Sequence, residues 1–354
     1  MEKYRVFSDA GTGLNPFLPP WSHNRSQNHL WQSVFYFLPR LFMLVIRLFL
    51  LITLFLWIVA SNLFLSVLPL KYSEWMMRRH VNWLPLRVIL FLLGFLTIKE
   101  CIADFRRLKI KKPMQLSEFW SPIKRQSIVL SNFTSFIEIL FLNMKLNPLF
   151  TILHSDGSLS PSSFFGALRH SFQFKVPVRP GKFRTLKALV NFMEIHYHGG
   201  VPIVIFPEGM KSNGLAMLNW KLQCFLDEEN TNKQNDAIQL FKRYQLTLVA
   251  FSYFPEKAAK HFLAAYSPPH TVNYPITHVG LLCYQFCHNL NVSWFPAKEF
   301  LFNELQKSTM VKSLKLLRCI HSRMLTNAEM VDIDSDRLYD FYLYWRATQK
   351  KSYL

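Results

Sequence analysis

The sequence predicts an α/β domain, a central mainly parallel sheet flanked by helices, preceded by an N-terminal membrane-embedded helical segment. Two observations predict it. Residues 48–70 carry no formal charge and are long enough to cross a hydrocarbon core of roughly 30 Å as a helix. Beyond Pro113 short apolar runs alternate with amphipathic segments. Buried strands joined by helical connections form parallel sheets, whose functional loops lie at the carboxyl ends of the strands. With 354 residues, half of them apolar, the chain can bury a sizeable core.

The elements follow in order. Residues 1–40 read as a polar, Pro-containing cytosolic segment, too long a lead for a cleaved signal peptide. Residues 41–98 read as a membrane anchor of one long and one short apolar helix. The short stretch, 88–98, is an expected re-entrant, interfacial or tilted partner of the first helix, with a buried core helix as the alternative. Lys99, Arg106, Arg107, Lys109, Lys111 and Lys112 follow it, diluted only by Glu100 and Asp104, and favour the cytosolic side for everything downstream. Lys71, Arg78 and Arg79 between the two stretches leave a shallow, one-leaflet insertion open. On a cytosolic face the N-x-S/T sequons at Asn24, Asn132 and Asn291 are chance matches.

Residues 99–297 read as the α/β domain. Within it "SIVLSN", "PLFTIL" and "LTLVAFSYF" are expected strands, "TLKALVNFMEIHYHGG" a helix stopped by Gly199 and Gly200, and "VPIVIFPEG" a strand entering a loop. Residues 298–354 form a helical tail whose end, "LYDFYLYWRATQKK", either rests on a membrane surface or packs on the domain.

Composition narrows the partner. Lys and Arg total 41 against 22 Asp and Glu, a formal charge of +19 that suits nucleic acid, a membrane surface or phosphorylated substrates. Aromatic residues at 16%, with 33 Phe, fit lipid better than bases. No groove-reading helix, zinc spacing or ribonucleoprotein motif supports nucleic acid. The five cysteines are too few and scattered for a disulfide framework, which points to a reducing compartment. Cys283 and Cys287 beside His288 lack two further convergent ligands, so they read as buried thiols and no metal is expected.

One loop carries chemistry. Phe206, Pro207, Glu208, Gly209, Met210, Lys211 and Ser212 follow the apolar strand 203–205, placing a carboxylate, a permissive glycine and a cation in an expected exposed loop. Such a loop suits a phosphate: Lys211 supplies charge, backbone N–H groups around Gly209 cradle the anion, and Glu208 holds the cation or a substrate hydroxyl in register. An ordinary strand-to-helix turn of the same composition is the simpler alternative.

The stretch from "FFGALRHSFQFKVPVR" through "HYHGGVPIVIFPEGMKS" resembles the PlsC-type glycerolipid acyltransferase family (1-acyl-sn-glycerol-3-phosphate acyltransferase-like). That family reads FFG, an apolar segment ending in Arg, a helix closed by Gly-Gly, then a strand and FPEGTRS. Here Phe164, Phe165 and Gly166 precede Arg179, and residues 206–212 match the last block with Met210 for Thr and Lys211 for Arg. Asn132 and Glu138 fall at the two ends of the family's NHxxxxD. The likeness covers roughly residues 125–255, and "MEKY" with "GTGLNPFLP" is similar to a fungal branch of lysophosphatidic acid acyltransferases.

The resemblance implies a reaction in which the hydroxyl of a lysophospholipid attacks an acyl-CoA thioester. It implies acyl-CoA as co-substrate with no bound cofactor, and membrane lipids as surroundings. The implied location is the endoplasmic reticulum membrane or a lipid droplet surface, with the domain facing the cytosol. In the family the motif His takes the hydroxyl proton and the acid orients it, while the motif-two Arg and the FPEG block hold the acceptor phosphate. Carried over, Arg179, Glu208, Gly209, Lys211 and Ser212 bind substrate. The base position is Phe133, which cannot accept a proton. Three readings stay open: a substitute base, either His154 at the end of "PLFTIL" or Glu138 beside Asn132; catalysis by positioning alone; or a lipid-binding or regulatory protein without the chemistry.

Overall fold

The computed structural model describes residues 2–19, 30–67, 74–108, 110, 127–196, 201–226, 243–253, 267–298, 300–301, 309–325 and 328–351. Asn24, residues 68–70, Lys71, Lys109, Lys111, Lys112, Gly199, Gly200 and Phe254 lie outside these residues.

Helix α1, Leu30–Val67, contains the stretch Pro39–Val67, 29 residues long and apolar enough to cross a membrane, little of it covered by the rest of the protein. Two arginines interrupt its apolar run. Arg47 sits buried because its guanidinium donates to the carbonyl oxygens of Cys283, Gln285 and Phe286, the free carbonyls around the end of helix Pro275–Tyr284. Helix α2, Glu74–Leu92, packs on α1, where the amides of Asn62 and Asn82 pair reciprocally at 3.1 and 3.3 Å.

The short apolar stretch does not form a helix of its own. Its helical part ends with α2, the chain turns at Gly94 (φ +95°), and Ile98–Ile102 forms strand β1. A Cβ at Gly94 would lie 2.9 Å from the His288 ring, so the turn needs glycine on steric as well as conformational grounds. Leu86, Ile89, Leu90 and Leu93 of this region share one apolar cluster with Ile137, Leu140 and Phe141, while Leu84, Phe91 and Leu96 stay exposed.

The remaining strands of the main sheet are β2 (Ser127–Ser131), β3 (Leu149–Leu153), β4 (Leu159–Ser162), β5 (Ile203–Ile205), β7 (Gln245–Ser252) and β8 (Leu290–Pro296). Their order is β1-β8-β7-β2-β5-β3-β4. The pairs β1/β8, β7/β2, β2/β5 and β5/β3 are parallel, while β7/β8 and β3/β4 are antiparallel. The protein therefore has the α/β architecture with a mainly parallel sheet. The short strand β6, Ala216–Met217, pairs separately with β9, Glu329–Met330.

Strand periodicity divides the core between the two faces of the sheet. Ile128 and Leu130, Ile203 and Ile205, and Leu246 and Leu248 point to one face, packed by α6 (Leu186–His196) and helix Met310–Met324. Val129, Val204, Val249 and Phe251 point to the other, packed by α2 and by α4 (Phe136–Leu146).

A third cluster joins the two ends of the chain. Phe17 is fully buried against Phe341 of helix Arg337–Lys351, and Tyr4 and Phe7 meet the same ring edge-on at 5.9 and 5.3 Å. Asp9 accepts the N–H of Asp332 at 2.9 Å. Of the two expectations for the tail, packing on the domain is the one observed.

Candidate active site

The site grows from two turns that leave adjacent parallel strands at the same end. The first, Asn132-Phe133-Thr134-Ser135, links β2 to α4. Ser135 is the N-cap of α4 and Glu138 its N3 residue, so Ser-x-x-Glu closes a capping box. Glu138 accepts the N–H groups of Thr134 (3.1 Å) and Ser135 (2.7 Å), the Thr134 hydroxyl, and the Tyr253 hydroxyl at 2.9 Å. Its oxygens are committed to the turn. Asn132 forms an amide pair with the backbone of Phe251, donating to its carbonyl at 3.1 Å and accepting its N–H at 2.8 Å, which fastens the turn to β7. Buried in that clamp, the Asn132 amide is unavailable as a sequon.

The second turn follows β5. Gly209 adopts φ +80° and its N–H returns to the Phe206 carbonyl at 2.9 Å, closing the reversal only glycine tolerates freely. The turns are stitched together. Phe133 N–H donates to Glu208 at 3.3 Å, Ser212 N–H donates to the Phe133 carbonyl at 2.9 Å, and the Phe133 and Phe206 rings stack at 4.5 Å. Glu208 also accepts the Leu218 N–H at 2.9 Å.

The expected exposed loop is instead buried: Glu208 and Met210 are at most 1% exposed and Lys211 is fully covered. Over Met210 and Asn213 the cover comes from residues 2–19. The carbonyls of Asn15, Pro16 and Leu18 accept hydrogen bonds from Asn213, and Met210 packs in the cluster around Phe17. The Lys211 ammonium donates to the Ser171 carbonyl and to His270 Nδ1, and lies 5.0 Å above the Phe174 ring. His270 in turn donates from Nε2 to the Asn273 carbonyl at 2.7 Å, and its own N–H reaches the Thr134 carbonyl at 2.8 Å.

Burial sets the electrostatics. Desolvation raises Glu138 to about 7 against its hydrogen bonds from Thr134, Ser135 and Tyr253, raises Glu208 to about 8, and lowers Lys211 to about 7 although Glu138 favours its charge. The carboxylates bind protons more tightly folded than unfolded, so their contribution to stability is lost as pH rises from about 4.5 through 7 and 8. Lys211 binds its proton less tightly folded, so its contribution is lost as pH falls from 10.5 through about 7. The buried histidines His270, His278, His288 and His321, lowered by desolvation, pull the other way as pH rises, so the test is a difference. The stability lost in Glu208→Gln, measured at fixed ionic strength, should shrink as pH rises from about 4.5 through 8, and a loss that does not change across that window would refute the burial of the ionisable carboxyl.

His154 and Arg179 occupy a separate corner. His154 Nδ1 meets the Arg179 carbonyl at 2.6 Å and Nε2 meets the Ser160 hydroxyl at 2.8 Å, so both ring nitrogens are engaged and no hydrogen bond joins it to Glu138. The Arg179 side chain is exposed. The structure thus brings together Asn132, Glu138, Glu208, Gly209, Lys211 and Ser212 and leaves His154 and Arg179 outside this buried network.

It adds a residue that sequence reasoning passed over. His170, near the end of α5 (Phe164–Ser171), is 6% exposed and stacks on Phe133 with ring centroids 6.4 Å apart. Its Nδ1 pairs with Gln173 Oε1 at 3.3 Å, and its buried Nε2 has no hydrogen-bond partner. An unmet buried nitrogen of this kind costs about 1–3 kcal/mol. One signal was available: Ala167, His170 and Ser171 fall at helical spacing on the buried face of α5. Cys283 and His288 belong to the packing near Arg47, all five cysteines are free, and among the described residues no group of three or more His, Cys, Asp or Glu is placed to hold a metal.

Among solved structures the chain is similar to the crystal structure of the 1-acyl-sn-glycerophosphate (LPA) acyltransferase PlsC from Thermotoga maritima, with 11% identity and a TM-score of 0.36 over 79% of this chain and 97% of that one. No family model matches the chain, and no curated protein matches it.

Proposed function

We propose that the protein is an acyl-CoA-dependent acyltransferase that acylates a lysophospholipid, lysophosphatidic acid giving phosphatidic acid, at the cytosolic face of the endoplasmic reticulum or a lipid droplet. One observation carries the reading. Asn132 to Glu138 and Glu208 to Ser212, the two blocks by which the sequence resembles glycerolipid acyltransferases, meet at the carboxyl ends of neighbouring parallel strands and are hydrogen-bonded to each other. A helix apolar and long enough for a bilayer packs against the same domain, with Phe55 of α1 edge-on to Phe165 at 5.5 Å.

In this reading the buried Lys211 supplies positive potential behind the loop, and Arg179, exposed at the rim, reaches the acceptor phosphate. The full chain in detergent, given labelled oleoyl-CoA and a panel of lysophospholipids, should release CoA and label phosphatidic acid. Arg179→Ala is expected to raise the apparent KM for lysophosphatidic acid about tenfold, the loss of one charge-assisted contact, and to leave a neutral acceptor unchanged. Equal losses for both acceptors would remove Arg179 from headgroup binding.

A second reading, a lipid-binding or regulatory protein without chemistry, is favoured by Phe133 at the base position and by the commitment of Glu138 to the helix cap. The same assay separates them: lysophosphatidic acid binding with no labelled product would establish it.

A further inference from the structure

We propose that His170 is the general base of the acyl transfer assigned above, acting from the ring stacked on Phe133; the inference rests on that reading of the site. The surroundings of His170 prepare it for a proton. With Gln173 Oε1 accepting from Nδ1–H, the lone pair falls on Nε2, and that nitrogen makes no hydrogen bond of good geometry among the described residues, although the Gly209 backbone stands beside the ring. A buried acceptor kept empty is costly to the fold, and a substrate hydroxyl would fill it. The place is also right. The ring lies against Phe133, beside the Gly209 backbone, and near enough to Lys211 to feel its charge, so it stands among the residues that join the two turns.

Burial first, then repulsion from Lys211 and His154, hold the imidazole neutral, while Gln173 and the Gly209 backbone favour its charged form. The free base therefore predominates at neutral pH. In the reaction Nε2 takes the proton of the lysophospholipid hydroxyl as that oxygen bonds to the thioester carbonyl carbon. When the carbon–sulfur bond breaks, the imidazolium returns the proton to the CoA sulfur, and His170 ends as it began. Gln173 holds Nδ1–H throughout, the orienting role that an acid plays for other catalytic imidazoles.

The test uses the full chain in detergent with labelled oleoyl-CoA and lysophosphatidic acid. His170→Asn keeps a donor near the Nδ1 position and loses the base, so kcat should fall about 10²–10⁴-fold, with both KM values within about threefold and the unfolding midpoint little changed. Wild-type turnover with a His170→Asn rate within tenfold of it would overturn the base and leave the acyltransferase reading standing. Absence of wild-type turnover with every acceptor would overturn both. Nitrogen-15 NMR of labelled histidines supplies a check that needs no variant: a protonated Nδ1 with a bare Nε2 that shifts on adding lysophosphatidic acid is expected, and a protonated Nε2 would refute the proposal.

Discussion

Glu208→Ala is expected to destabilise the protein by about 4 kcal/mol, the largest loss from any single change in the site. Glu208 accepts the N–H of Phe133 and the N–H of Leu218 in a buried position; the first bond ties the two turns to each other and the second ties Glu208 to the chain just past β6. Alanine removes both acceptors. It strands two backbone donors at about 1–3 kcal/mol each and leaves a void the size of the lost carboxyl arm. Glu208→Gln keeps one acceptor oxygen and should lose only about 1–2 kcal/mol. Urea unfolding with an unchanged m-value would register both effects as shifts of the midpoint. An alanine variant within about 1 kcal/mol of the wild type would mean that Glu208 does not hold the turns together.

Lys211→Met should do the opposite, sparing the fold and removing the activity. Methionine fills a similar volume, and it relieves the cost of keeping an ammonium out of water. Against this, the Ser171 carbonyl and His270 Nδ1 lose their donor. The two effects nearly cancel, so stability should change by less than about 2 kcal/mol in either direction. Turnover with lysophosphatidic acid should fall about 10²–10³-fold because the positive potential behind the loop is gone. Thermal unfolding and steady-state rates on one preparation separate the outcomes: a collapse in stability matching Glu208→Ala would make Lys211 a strut instead of a functional cation.

The parts of this architecture that sequence reveals are those whose burial is continuous. Strands β2, β3, β5 and β7 and helix α6 stand out because buried strands read as unbroken apolar runs and a one-sided helix repeats every three to four residues. Strand β1 escapes because its residues alternate between half-covered and exposed and include Lys99 and Glu100. Strand β8 is set by partners far away in sequence, β1 and β7, and it ends in a proline.

The site divides in the same way. The turn after β5 is legible as a turn because Pro207 and Gly209 directly follow an apolar strand. The Ser135–Glu138 capping box was also legible as Ser-x-x-Glu, but that pattern coincides with the acid of the family motif and hides the local role behind the catalytic one. Two features needed the third dimension. The burial of Lys211 is built by Ser171, Phe174 and His270, about forty to sixty residues away in sequence on either side, and the open nitrogen of His170 is defined by what fails to approach it.

The pairing of Phe17 with Phe341, and of Asp9 with Asp332, has a consequence for synthesis. A nascent chain can assemble the strands that frame the two turns soon after residue 253 leaves the ribosome, yet residues 2–19, translated first, meet Phe341 and Asp332 only once those have emerged. Until then Phe17 and Met210 lack one wall of the cluster that buries them.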